Sequence, residues 1–340
     1  MSIRIGVINW DCSLPPSTYF GRHDSNALSP VHFRHRTPYY AAIQSENRIV
    51  FPERTQAEYD RELQYAIDAG IDYFAYVWYG DDNQTALGYV PRDESDCSGH
   101  VWELTWARHM YAKSELRHRL NMCAIIGSHP FTDGDVERLV DTMKEPFYEH
   151  TEGRPLVYIF GGSRADIINR IRQTAAEQGV ADPYVVALGG APKDDSCRVE
   201  GLSAYACTAS KVNSYAQLTD RLEAENNRRA ASGLGVVPLF SMGWEPSPRI
   251  ENPVPWTKYP SEFYAPEAND EEFLTGAKRM SEWVKSHRDA AIGHILTFAW
   301  NEFEEGGWIC PTYTADGRLV DTRHLAVFSR IADLWRQELN

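Results

Sequence analysis

The feature that most limits this chain is a repeated alternation. Eight short apolar runs, at 3–9, 71–80, 120–127, 155–162, 184–190, 201–209, 235–244 and 294–300, alternate with amphipathic helical stretches. The helical stretches cover about 55–69, 102–119, 133–147, 164–179, 212–231, 269–288 and 323–338, while the connection at 191–200 is short and weakly helical. A short run that is apolar throughout fits a strand buried on both faces. Helices between such strands cover those faces and return the chain in parallel. Eight units predict an α/β protein, a single (β/α)8 TIM barrel with long βα loops. A doubly wound open sheet is the alternative, but the turn after the first run lacks the G-x-G-x-x-G phosphate loop. No internal repeat or low-complexity linker divides the chain, so one catalytic domain over 1–340 is expected.

Local signals agree with this frame. T-Q-A-E reads as a capping box of Thr55 and Glu58 opening the first of these helices, and Gly70 ends it. Three connections, 10–52, 80–101 and 243–268, are too long to be simple turns. In a barrel, loops that follow strands form the face that carries the active site.

A net charge of −14 argues against a nucleic-acid backbone or an anionic membrane as the main partner. No apolar stretch reaches membrane-spanning length. The opening M-S-I-R-I-G-V-I-N-W lacks a charged segment followed by an apolar one, so a cytoplasmic location is expected unless a signal has been removed. The six cysteines form no C-x-x-C pair and no zinc spacing; Cys123 and Cys207 read as core residues.

The residues that close each run should converge on one pocket. They are Asn9, Trp10 and Asp11; Trp78, Tyr79 and Asp81; Ser128 and His129; Tyr205; Trp244 and Glu245; and Asn301, Glu302 and Glu305. No G-x-S-x-G elbow and no H-E-x-x-H helix occurs among them. Carboxylates and flat aromatic rings remain, the equipment for cleaving a glycosidic bond and holding sugar rings. The stretch H-I-L-T-F-A-W-N-E-F-E-E-G-G-W-I-C-P, 294–311, concentrates both. In a helical turn Glu302 and Glu305 share one face, and two carboxyl groups that close do not ionise independently. One then serves as general acid and the other as base. An acidic turn exposed to solvent is the plain alternative.

W-N-E-F-E-E-G, Trp300 to Gly306, resembles the W-N-E-W-x-E-G signature of glycoside hydrolase family 99 and its WbsX-like relatives. S-M-G-W-E-P-S-P-R, Ser241 to Arg249, is similar to the G-W-D-N-T-P-R stretch those proteins carry after the seventh strand, and I-D-A-G-I-D-Y-F-A-Y-V-W-Y-G resembles their early helix and strand. The resemblance implies Glu302 as base, Glu305 as acid, Arg249 in the substrate site, and no metal or cofactor. It implies retention of configuration through a 1,2-anhydro sugar, although direct attack by Glu302 also fits the sequence. Phe303, Glu304, Cys310 and the run Glu245-Pro246-Ser247 depart from the family pattern, which leaves the sugar open. The end of the last strand is also similar to the W-N-D-x-G-E-S of fungal α-1,3-glucanases, glycoside hydrolase family 71.

The expected activity is hydrolysis of an α-linked oligosaccharide or polysaccharide, with a non-hydrolytic carbohydrate-binding barrel or a glycosyltransferase as alternatives. Trp10, Trp78, Trp244 and Trp308 are candidate sugar platforms or core residues. His129 is a candidate partner for a substrate hydroxyl or a structural histidine, and Tyr79, Asn301, Trp244 and Glu245 are candidates to help bind substrate. Arg22, His23, His32, Arg34, His35 and Arg36 crowd one connection. They read either as a solvated loop or as a site for an anionic sugar group. A metal at His32 and His35 lacks a carboxylate near in sequence.

Overall fold

The structure is a computed structural model that describes residues 2–340 apart from 94, 128, 161–164, 191–196, 208–211 and 261–264. Eight parallel strands form a barrel: β1 Arg4–Asn9, β2 Tyr73–Trp78, β3 Asn121–Ile126, β4 Arg154–Phe160, β5 Tyr184–Leu188, β6 Gly201–Ser203, β7 in two pieces, Gly235–Val236 and Leu239–Ser241, and β8 His294–Phe298. The first piece of β7 pairs with β6 and the second with β8, while β8 pairs with β1, so the sheet closes through the interrupted strand. Val237 N donates to Leu202 O at 3.0 Å and Leu296 N donates to Pro238 O at 3.1 Å across the break. Pro238 has no N–H to donate, which accounts for the gap in an otherwise continuous ladder. Inside the ring, Tyr73 lies where a side chain on Gly6 would come within 2.1 Å of its ring, and its hydroxyl meets that of Tyr158 at 2.8 Å.

The helices are α1 Tyr19–Leu28, α2 Gln56–Asp68, α3 Trp106–Lys113, α4 Asp133–Met143, α5 Ala165–Glu177, α6 Tyr215–Ala230, α7 Ser247–Glu251, α8 Asp270–Ser286 and α9 Arg323–Leu339. The capping box that opens α2 is formed: Glu58 N donates to Thr55 Oγ1 and Thr55 N to Glu58 Oε2. Gly70, with φ +79°, follows its end. The helix expected over 102–119 is instead α3 flanked by 3-10 turns at Cys97–Thr105 and Glu115–His118. Ser114 stops it by turning extended and accepting Leu116 N–H on its hydroxyl, the local competition that keeps serine at caps. Ser128 and most of the weak connection 191–200 lie outside the described residues.

The long connections carry structure that periodicity did not announce. Residues 10–52 hold α1, a 3-10 turn Val31–Arg36 and a hairpin of Ala42–Ser45 with Arg48–Val50; 243–268 hold α7. Cys12, Leu14 and Phe20 from the first connection pack on Tyr79 after β2, on Cys97 and Val101 of the second connection and on Leu104 just beyond it, a small apolar core distinct from that of the barrel. This packing fixes the loops as walls around the C-terminal ends of the strands. All six cysteines are free and buried, and no helix among the described residues is long and apolar enough to cross a membrane.

Candidate active site

The chain leaves β8 through a buried anchor. Trp300 N donates to Ile8 O at 2.8 Å and its indole to Glu62 Oε1 at 2.8 Å. Asn301 Oδ1 accepts from Trp10 N at 3.0 Å and its amide donates to Asn9 Oδ1 at 3.2 Å, tying the end of β8 to that of β1. Asn301 and Glu302 then pair with Trp308 and Gly307 in a tight hairpin whose tip is a 3-10 turn, Phe303–Glu305. Residues three apart eclipse in such a turn, so Glu302 and Glu305 emerge on one side. Gly306 closes it at φ +76°, where a Cβ would also meet Glu245 N at 2.6 Å; no other residue fits.

Both glutamates open into a cavity of about 680 Å³ at the C-terminal end of the barrel. Its walls come from Trp10, Tyr79 and His129 after β1, β2 and β3, Phe160 at the end of β4, Tyr205 after β6, and Arg249, Trp256 and Tyr259 after β7. Residues 92, 93 and 95–98 of the second long connection form part of the rim. Of the strand-end residues expected to converge on one pocket, the structure brings together Trp10, Tyr79, His129, Tyr205, Glu302 and Glu305, and Arg249, drawn from the family resemblance, joins them.

The two carboxyl groups have different company. Tyr205 donates its hydroxyl to Glu302 Oε1 at 2.5 Å, and Glu302 Oε2 has no hydrogen-bond partner. Glu305 Oε1 accepts from both Arg249 Nη1 and the Tyr259 hydroxyl. Burial, reinforced by the charge of Glu305, pushes the Glu302 carboxyl above the usual range; Arg249 and the Tyr205 hydroxyl pull it back only in part. A proton is therefore favoured on Glu302, while Glu305 accepts hydrogen bonds from Arg249 and Tyr259. This is the reverse of the base and acid roles that the family resemblance implies.

Other candidates lie elsewhere. Asn9 and Asn301 are buried beneath the cavity as the clamp just described. Asp11 turns away to a buried ion pair with Arg54, which also binds Glu62 at 2.7 Å. Trp78 is buried under the guanidinium of Arg108 at 4.0 Å and borders a different cavity, beside α3. Asp81 faces Arg108 and His109. Trp244 stands edge-on to Tyr259 and lines an adjoining cavity of about 490 Å³, which shares Phe160, Tyr205, Tyr259 and Glu305 with the first. Glu245 binds Arg36 through its carboxylate and, at 2.7 Å, its carbonyl. Trp308 packs on His324 at 4.4 Å and borders a further cavity with His35 and Glu267.

The basic connection is largely consumed within the protein. Arg34 donates to the carbonyls of Ser45 and Glu46, and Arg36 serves Glu245. His32 meets Glu251 at 2.8 Å and His35 meets Glu267 at 3.5 Å, so the two histidines have separate carboxylates and do not converge on one ion. Among these six side chains none lines the main cavity.

Phe160, Trp256 and Tyr259 are wall residues that sequence reasoning missed. Phe160 ends an apolar run, so the rule applied to the other strand ends would have found it. Trp256 and Tyr259 sit in a connection with no periodicity to place them.

No protein-family model matches the sequence, and neither does the sequence of any curated protein. Among solved structures, the GH99 endo-α-mannosidase of Bacteroides thetaiotaomicron in complex with BIS-TRIS-propane superposes with a TM-score of 0.61 at 13% identity, covering 98% of each chain. A second structure of the GH99 endo-α-mannosidase from that organism gives a TM-score of 0.60 at 13% identity, over 99% of this chain and 98% of the other. Along its whole length the chain has the fold of these endo-α-mannosidases.

Proposed function

We propose that the protein is a glycoside hydrolase that cleaves an α-linked glycan with retention of configuration, using Glu302 and Glu305 as its acid/base pair. The observation that carries this reading is the 3-10 turn after β8, which presents both carboxyl groups to a cavity walled by Trp10, Tyr79, Phe160, Tyr205, Trp256 and Tyr259. Aromatic faces suit sugar rings, and two carboxyl groups flanking the scissile bond are what the cleavage needs. The likeness to an endo-α-mannosidase fold supports an α-linked substrate.

The glutamates share one proton. Burial and the charge of Glu305 favour it on Glu302 in the free protein; the reactive form has it on Glu305, one turn away. Glu305 then protonates the departing glycosidic oxygen as the C1–O bond breaks. Glu302, now ionised, takes the proton of the sugar 2-hydroxyl as that oxygen bonds to C1 on the opposite face. Water opens the resulting 1,2-anhydro ring and both protons return. Direct bonding of Glu302 to C1, followed by hydrolysis, gives the same stereochemistry. Tyr205 and Tyr259 orient the two carboxyl groups, and Arg249 offsets their joint charge.

The test is release of reducing ends from a panel of α-glycans with no nucleotide donor present. Wild type should cleave at least one, and Glu305→Gln and Glu302→Gln should lose that cleavage by about 10²–10⁴-fold. Glycan binding with no release by wild type across the panel, or undiminished release by both variants, would overturn the reading.

A further inference from the structure

Behind the glutamate pair lies a second group of buried side chains that the proposed chemistry leaves unused. Cys12 from the first connection, Asp24 from α1 and Glu304 from the catalytic turn each offer one ligand atom, and the three atoms lie within 4.8 Å of one another. Relative exposures are 2%, 0% and 0%. Cys12 Sγ lies 3.7 Å from Glu304 Oε1, and Ser13 Oγ donates to Asp24 Oδ2 at 3.2 Å.

The charges around this group do not balance. Asp24, Glu302, Glu304 and Glu305 all lie near the single guanidinium of Arg249. Its charge is engaged by Glu305, and Nη2 stands 3.9 Å from Glu304 Oε2, beyond hydrogen-bond reach. The guanidinium groups of Arg36 and Arg54 are held by Glu245 and by Asp11 with Glu62. Asp24 Oδ1 and Glu304 Oε2 are fully buried with no hydrogen-bond partner. An unpartnered buried carboxylate oxygen is costly, so protons or a cation must satisfy these groups.

We propose that Cys12, Asp24 and Glu304 form a site for a divalent cation of the zinc class. One thiolate with two carboxylates is a soft and hard mixture that suits Zn²⁺ or Co²⁺ and not Mg²⁺ or Ca²⁺. Metal–sulfur and metal–oxygen bonds of about 2.3 and 2.0–2.2 Å in tetrahedral array put sulfur and oxygen roughly 3.5 Å apart, close to the spacing of Cys12 and Glu304. Binding would release the thiol proton and any carboxyl proton to solvent and form three metal–ligand bonds; no redox step is involved. The ion would pin α1 and the first connection to the turn that carries Glu302 and Glu305, as a structural clamp outside the reaction.

The experiment is a titration of chelator-stripped, full-length protein with Co²⁺ and, separately, Zn²⁺. Wild type should take up one equivalent of Co²⁺ with thiolate-to-cobalt charge-transfer absorption, and Zn²⁺ should displace it and raise the Tm. Cys12→Ser should lose the absorption, and Glu304→Gln should weaken binding at least as much as loss of an outer-sphere partner does, about 10–100-fold. The wild-type arm needs no variant to fold. No stoichiometric Co²⁺ uptake by wild type, or the same absorption in Cys12→Ser, would overturn the proposal and would mean that protons alone neutralise the cluster. Neither readout uses glycan cleavage, so this result and that of the hydrolase test stand apart.

Discussion

The guanidinium of Arg249 is bonded to Glu305 and lies 3.6 Å from Glu302, with its side chain 2% exposed. Among the described residues it is the one cation within ion-pair distance of this glutamate pair, so its loss leaves buried charge uncompensated. Removing one partner of a buried ion pair costs about 3–5 kcal/mol. Arg249→Ala is therefore expected to lower the denaturant midpoint by that free energy and to abolish cleavage. Arg249→Lys should recover part of the stability, because it keeps the charge but not the fork. Unfolding of Arg249→Ala at the wild-type midpoint would show that Glu305 is not held by this pair.

The two glutamates should separate by leaving group. An α-glycoside of an acidic phenol needs no proton to depart, so Glu305→Gln should cleave it with most of the wild-type rate while losing about 10²–10⁴-fold on a sugar leaving group. Glu302→Gln should be impaired on both. Steady-state rates on the two substrate types decide it. The opposite pattern would put the acid at Glu302, whose carboxyl burial pushes above the usual range.

Phe160 is 43% exposed at the end of a strand whose five preceding residues are buried, and its ring lies 5.1 Å from that of Tyr205. It borders both the main cavity and its neighbour. A large apolar ring left bare at that point is placed to stack on a sugar. Phe160→Ala should raise KM about tenfold with kcat nearly unchanged, the mark of uniform binding. Stability should stay within about 0.5 kcal/mol, since little burial is lost. A fall in kcat at constant KM would place Phe160 in the chemistry and not in binding.

The eight strands and most helices were legible because burial on both faces and amphipathic periodicity are local properties, written within each run. The turn after β8 was legible for a similar reason: Glu302, Glu305 and Gly306 lie within five residues, and the turn that unites them is local. What failed to carry over was side-chain direction. Trp78 and Tyr79 are neighbours in sequence, yet one faces Arg108 of α3 and the other faces the cavity. Asp11 looked available until the fold brought in Arg54 from 43 positions away. Arg36 and Glu245, 209 positions apart, likewise cancel each other's surface role. Partnerships of that range are made by tertiary packing, and no window of sequence contains both members.

Two buried histidines set a window of acid sensitivity. Burial, with some help from Arg4, pushes His294 down to about 4. Burial, followed by Arg323, does the same to His324, whose Nδ1–H donates to Trp308 O while Nε2 accepts from Arg323. Both are neutral in the folded protein, whereas an unfolded imidazole titrates near 6.5. Between about pH 6.5 and 4 the unfolded chain binds protons that the native state refuses, so the stability these groups contribute falls as pH falls. Each contributes at most about 3 kcal/mol over that range. Asp24 and Glu62, raised by burial, act in the opposite direction over much of the same window, so the total change mixes the two effects. The informative quantity is a difference. Urea midpoints of wild type and His324→Asn, measured at pH 7 and pH 4.5, should show the variant losing less stability on acidification, by about 2 kcal/mol. Asparagine keeps a donor for the Trp308 carbonyl but has no proton to gain. Equal losses in the two proteins would mean that His324 is already protonated in the native state, and that Trp308 and Glu267 surround an imidazolium.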